Sequence, residues 1–104
     1  MERVGFTMRL LPGQEAEYRR RHADVWPEML DALKAAGARD YSIFLHGDQL
    51  FAYLEVDDFA RFSEYMAATE VNDRWQAEMA SLIDPLTDPE TGFHQRLEEI
   101  FHLD

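Results

Sequence analysis

The stretch EYRRRHADVWPEM, residues 17–29, sets a tyrosine, a histidine and a tryptophan four residues apart: Tyr18, His22 and Trp26. Imidazole takes and gives a proton near neutral pH, so His22 is a candidate acid–base group. At i, i+4 spacing Tyr18 and His22 share a helix face, and Trp26 extends the stripe if the helix persists that far. A phenol, an imidazole and an indole side by side can bind and protonate a small polyhydroxylated ligand. The same stripe also fits plain packing of a helix on a sheet, and spacing alone leaves both readings open. Arg19, Arg20 and Arg21 run up to the histidine. Positive neighbours disfavour imidazolium and favour a neutral ring, although exposed guanidiniums are screened by salt.

A second aromatic candidate lies in TEVNDRWQAEM. Trp75 has the spacing of a core anchor, and an indole face also packs against the C–H side of a sugar ring. The other histidines carry weaker signals. His46 falls in a turn beside Gly47-Asp48, His94 in a polar loop, and His102 alternates within a terminal strand where it can line a barrel. No H-E-x-x-H or related spacing joins them, so no metal site is expected. Adjacent acids such as Asp57-Asp58 and Glu98-Glu99 read as surface residues. Without a glycine-rich phosphate loop or a G-x-S-x-G elbow, dinucleotide and serine-hydrolase chemistry are not expected.

The elements that must position these groups are readable from periodicity. Val4, Phe6, Met8 and Leu10 alternate with Arg3, Gly5, Thr7 and Arg9, a strand with one drier face that Pro12-Gly13 ends. Good helix formers run from Gln14 to about Ala23. Pro27 then forces either a kink near Val25-Trp26 or a new helix with Asp24 as cap and Pro27 in its first turn, stopping at Gly37. RDYSIFLHGDQLFAYLEVDD reads as a hairpin turning at HGDQ. Asp57 or Asp58 caps a helix from about Phe59 to Ala67. Thr69 caps another, carrying Val71, Trp75, Met79 and Leu82 at helical spacing. Pro85 and TDPETG form a loop, and LEEIFHLD closes as a final strand through Ile100, Phe101 and Leu103.

The 104 residues suit one domain spanning 1–104, with 46% hydrophobic residues and no cysteine. Disulfides and thiolate metal sites are thereby excluded. A net charge of -11 repels phosphate backbones and anionic membranes, so neither nucleic acid nor membrane is an expected partner. With no apolar leader or membrane-length run in the sequence, the expected location is cytoplasmic.

The order β-α-β-β-α-β is the ferredoxin-like split pattern of the α+β class, an antiparallel sheet with helices on one face. Phe44, Phe51 and Tyr53 occupy one strand face while Ile43, Leu45 and Leu54 occupy the other. A sheet covered on one side does not need two apolar faces. The second face is therefore expected to meet another sheet, giving a homodimer through sheet-to-sheet packing in a dimeric α+β barrel.

EYRRRHADVWPEM, GARDYSIFL, TEVNDRW and the terminal EEIFHLD together resemble the L-rhamnose mutarotase family, small dimeric α+β barrel proteins of bacterial sugar catabolism. The likeness runs over essentially the whole chain, and Tyr-x-x-x-His-x-x-x-Trp-Pro-Glu is its most specific part. The resemblance implies interconversion of the α and β anomers of a monosaccharide, L-rhamnose, without metal or cofactor. By motif, it implies His22 as proton donor and Tyr18, Tyr41 and Trp75 in contact with the sugar. One position departs from the pattern. Family members carry two consecutive tryptophans where this chain has Trp75-Gln76, and Gln76 can hydrogen-bond a hydroxyl but cannot stack. Two rival readings stay open: a cofactor-independent monooxygenase of the same barrel architecture, and a non-catalytic binding module in which the aromatic stripe is only packing.

Overall fold

The computed structural model describes residues 1–104. Strand β1 (Glu2–Leu10) is followed by helices α1 (Glu15–Ala23) and α2 (Pro27–Ala35), then by the hairpin of β2 (Arg39–His46) and β3 (Gln49–Val56). Helices α3 (Phe59–Ala67) and α4 (Glu70–Met79) lead to two short strands, β4 (Ile83–Asp84) and β5 (Gln95–Leu97).

Period-two alternation decides which strand residues are dry. Val4, Phe6, Met8 and Leu10 of β1, with Leu50, Ala52, Leu54 and Val56 of β3, are all buried beneath the helices. The antiparallel register sets Val4 against Leu54, Phe6 against Ala52 and Met8 against Leu50, so the two rows interlock. Full burial of side chains of this size is worth roughly 1.5–3 kcal/mol each, and this double row is the floor on which the helices rest. Onto it come Tyr18 from α1, Met29 and Ala32 from α2, Phe62 and Met66 from α3, and Val71, Trp75 and Met79 from α4.

Each helical arm is broken in two. At the first break Pro27 takes the N1 position of α2, and Trp26, with φ −54 and ψ 133, is the N-cap residue. Asp24 instead terminates α1, so it is not the cap that the sequence suggested. Asp58 does cap α3, accepting from the Arg61 backbone N–H at 3.2 Å. Thr69 stands at the N-cap of α4 without capping it, because its hydroxyl donates back to the Met66 carbonyl at 2.9 Å.

The α+β class holds, with an antiparallel sheet ordered β2-β3-β1-β4 and β5 also pairing β1. The barrel does not form. β2 pairs only β3, while β4 and β5 share the far edge of β1, so the two ends of the sheet never meet. The expected terminal strand is corrected as well. Strand pairing stops at Leu97, and Ile100, Phe101 and Leu103 are 89%, 78% and 80% exposed. Glu99 anchors this last segment on the outer face of the sheet, through Arg3 at 2.7 and 2.8 Å.

An irregularity at the start of β2 matters for the cavity. Arg39 pairs Glu55 but Ser42 pairs Tyr53, so three residues of β2 advance against two of β3. This bulge lets Arg39 reach Asp57 on the outer side while Tyr41 turns to the cavity under the helices. Asp40 absorbs the bend at φ 50, in the left-handed region. A residue with a β-carbon costs about 1–2 kcal/mol there, which glycine does not incur and a short polar side chain partly offsets. Asp40→Gly is therefore expected to be as stable as wild type or more so, and Asp40→Val to lose about 1–2 kcal/mol in urea unfolding. Equal stability of the two variants would contradict a strained bulge.

Candidate functional site

A cavity of about 740 Å³ lies between the dry face of the sheet, the four helices and the segment linking β4 to β5. That size is in the range of small-molecule sites. The five residues singled out from the sequence, Tyr18, His22, Tyr41, Trp75 and Gln76, all line it.

Helix α1 is polar almost throughout, and Tyr18 is its one buried residue. That side chain docks the helix, and one turn later it dictates where His22 sits. The imidazole stacks on the Tyr18 ring at 4.1 Å between centroids and meets the Trp75 indole edge-on at 5.4 Å. Its Nδ1 lies 2.9 Å from the Tyr18 carbonyl oxygen. A carbonyl only accepts, so Nδ1 carries the proton, and Nε2 of the neutral ring is left with its lone pair.

Burial lowers the pKa of His22, with the Tyr18 carbonyl partly opposing it, and the ring is neutral at pH 7. The three arginines have other partners. Arg19 pairs Glu15 at 2.9 Å, Arg20 pairs Glu17, and Arg21 bridges Glu17 and Glu78. Desolvation, and not the neighbouring positive charge suggested by the sequence, keeps the imidazole neutral.

Burial also pushes the Tyr18 phenol up to about 12. Tyr41, 37% exposed but set against the cavity lining, is raised as well, by desolvation and then by the proximity of Tyr18. Both phenols stay un-ionised at neutral pH, fit to orient a ligand hydroxyl and poor as bases. Trp75, only 7% exposed, is a core anchor that still borders the cavity, and it packs edge-on against Trp26 at 5.1 Å. Trp26 thus rejoins the stripe through space even though Pro27 breaks the helix. Gln76 is exposed next to it and donates to Asn72 Oδ1 at 3.2 Å, while Asn72 donates to the Met66 carbonyl at 3.2 Å.

His94 was missed as a site residue. Far from lying loose in a polar loop, it stacks on Phe6 at 4.8 Å with the rings 8° from parallel, and it borders the same cavity. The isolated bridge Thr87–His94 and the Gln95 N–H to Leu86 carbonyl bond fold the 85–94 segment back over the sheet. The sequence held one hint, a large apolar side chain, Phe93, in an otherwise polar stretch. His46 is exposed at the end of β2, and His102 is exposed and bonded to Asp104 at 2.8 Å; neither borders the cavity.

The chain carries 21 acidic and 10 basic residues, yet no Asp, Glu, Lys or Arg lines this cavity. Its polar groups are phenols, imidazoles, amides and hydroxyls. Such a lining favours a neutral, hydroxyl-bearing ligand, since a charged one would lose its hydration without gaining a counter-charge. One neutral imidazole with a free nitrogen supplies a proton carrier.

Residues 3–103 match the family described as L-rhamnose mutarotase. The chain is 47% identical to an L-rhamnose mutarotase of Burkholderia orbicola over the full length of both. It is 45% identical to one of Listeria monocytogenes, with 99% of each chain covered. Among solved structures, the crystal structure of L-rhamnose mutarotase FA22100 from Formosa agariphila superposes with a TM-score of 0.81 at 32% identity, covering all of both chains. None of these matches is a monooxygenase.

Proposed function

The chain belongs to the L-rhamnose mutarotase family, and on that premise we propose how its cavity performs the reaction. It is an isomerase that interconverts the α and β anomers of L-rhamnose or a related sugar. The observation that best supports the mechanism below is a neutral imidazole, His22, with Nδ1 tied to a backbone carbonyl in a cavity free of charged side chains.

Mutarotation moves one proton between two oxygens bound to the same carbon. In opening, Nε2 of neutral His22 takes the proton from the anomeric hydroxyl, the bond from the anomeric carbon to the ring oxygen breaks, and the resulting imidazolium gives the proton to that oxygen. The product is an open-chain aldehyde with a free hydroxyl. Rotation about the adjoining carbon–carbon bond then presents the other aldehyde face. Closing runs in reverse: the imidazole takes the hydroxyl proton as the oxygen attacks the carbonyl carbon, and returns it to the new anomeric hydroxyl. His22 is base and then proton donor in each half, and nothing is consumed.

Burial suits this role. The lowered pKa keeps the resting ring unprotonated and makes the transient imidazolium a readier donor. Tyr18 and Tyr41 orient the sugar hydroxyls, and Trp75 offers apolar indole surface to the C–H side of the ring or its methyl group. Gln76, on the next position of α4, presents an amide able to hydrogen-bond a sugar hydroxyl, which bears on sugar preference more than on reaction type.

Phe44, 62% exposed, stands on the outer sheet face beside its β3 partner Phe51 and next to Tyr53. We assign that face to a homodimer by sheet-to-sheet packing. No helix is long and apolar enough to cross a membrane, and we take the cytoplasm as the site of action.

Saturation-transfer NMR on the anomeric protons of L-rhamnose tests the reaction. Wild type is expected to transfer saturation between anomers, with His22→Ala slower by ~10²–10⁴-fold while still folded. The rate should rise with pH through a midpoint below 6.5 and stay flat above it, because the reactive form is the neutral ring. An unchanged rate in His22→Ala would leave the histidine as packing. Sedimentation velocity tests the assembly: wild type should run as a dimer and Phe44→Glu as a monomer, and a monomeric wild type would remove the dimer.

A further inference from the structure

The mechanism above uses one imidazole, yet the cavity contains two built alike. We propose that His94 is a substrate-binding and specificity-determining residue: its Nε2 accepts a hydrogen bond from one ring hydroxyl of the sugar. The inference rests on the sugar-isomerase reading and extends it to a residue on a different wall of the cavity.

The geometry of the ring carries the case. Nδ1 of His94 is 2.7 Å from the Pro85 carbonyl oxygen, so it donates there, and Nε2 is the nitrogen left over. The ring plane is held by stacking on Phe6 at 4.8 Å and an edge contact with Phe93 at 4.8 Å, and the bond to Pro85 selects the orientation within that plane. Phe93 is itself wedged edge-on between Phe6 and Phe59, at 5.0 Å from each. The backbone is equally fixed: Asp88 N–H donates to the Phe93 carbonyl at 2.7 Å, and Gln95 N–H to Leu86 at 2.9 Å. Burial lowers the pKa of His94 as it does that of His22, leaving the free nitrogen an acceptor.

Packing alone does not call for this arrangement. A phenylalanine would stack on Phe6 as well, and the bond to the Pro85 carbonyl accounts for Nδ1 but gives no role to Nε2, which has no partner in the protein. The imidazole instead adds an acceptor to the wall formed by the 85–94 segment, while His22 occupies the wall formed by α1. A sugar held between them has its reacting oxygens at one imidazole and a ring hydroxyl fixed by the other. Sites that hydrogen-bond a hydroxyl reject analogues lacking it much more strongly than apolar pockets reject a changed outline. His94 therefore selects for one hydroxyl, on a loop that carries none of the proton-transfer chemistry.

The test compares anomer exchange of L-rhamnose and its 2-, 3- and 4-deoxy analogues by saturation-transfer NMR. Wild type, His94→Gln and His94→Met are used; Gln presents a carbonyl oxygen near the place of Nε2, and Met has similar length with no comparable acceptor. His94→Met should lose about tenfold in kcat/KM on L-rhamnose. Wild type should also disfavour one deoxy analogue by about tenfold more than His94→Met does, with the other two penalties unchanged by the mutation, and His94→Gln should keep most of the discrimination. An active wild type with His94→Met equal to it, or with equal losses on all four sugars, overturns this inference alone. A wild type inactive on every sugar overturns the isomerase reading and this inference with it.

Discussion

The hydrogen bond between His22 Nδ1 and the Tyr18 carbonyl, 2.9 Å long and one helical turn back, decides which nitrogen of the imidazole is available for chemistry. Within a helix that carbonyl already has a backbone partner, so the imidazole uses its second lone pair at no cost to the helix. The bond can form because Tyr18 is sunk into the core and α1 is docked through it. Stacking on the same tyrosine and the edge contact from Trp75 then fix the ring plane. One residue thus docks the helix and covers the ring with its side chain, and holds the tautomer with its carbonyl.

Charge is arranged by exclusion. A chain of net charge -11 encloses a cavity whose lining has no ionised side chain, and the arginines flanking His22 are matched to Glu15, Glu17 and Glu78 outside it. A neutral substrate needs no electrostatic steering, and a proton shuttled between two oxygens of one carbon needs no fixed counter-charge. What it needs is a weak base with little competition from water. Burial provides that, lowering the basicity of both imidazoles and keeping both phenols protonated.

Local patterns were readable, and tertiary ones were not. Tyr18 and His22 share a helix face by spacing alone, and Trp75 falls in the apolar stripe of its helix. The alternation of β1 gave its buried row correctly, while β3 was legible as a strand with apolar residues on both faces. Tyr41 shares its strand face with Ile43 and Leu45 by alternation, and Ile43 lines the same cavity; what no residue pattern announces is the bulge at Asp40, with positive φ, that turns Arg39 the other way. His94 arrives by the return of the 85–94 segment, a long-range event with only Phe93 as a local mark. The barrel failed for a related reason. The apolar terminal residues read as a strand, but β4 and β5 already occupy the open edge of β1, and residues beyond Leu97 find no strand in the chain to pair with. The family itself rested on motifs and not on periodicity, since Tyr-x-x-x-His-x-x-x-Trp-Pro-Glu fits ordinary helix packing as readily as a sugar site.

The central claim is that His22 meets its substrate as a neutral imidazole protonated at Nδ1. Long-range ¹H–¹⁵N correlation NMR of the histidine rings at pH 7.5, without and with L-rhamnose, reads the tautomer directly. The account predicts a protonated Nδ1 and an unprotonated Nε2 for His22, with the Nε2 resonance moving when sugar is added. A proton on Nε2 of the neutral ring, or an Nε2 resonance indifferent to saturating sugar, would contradict it.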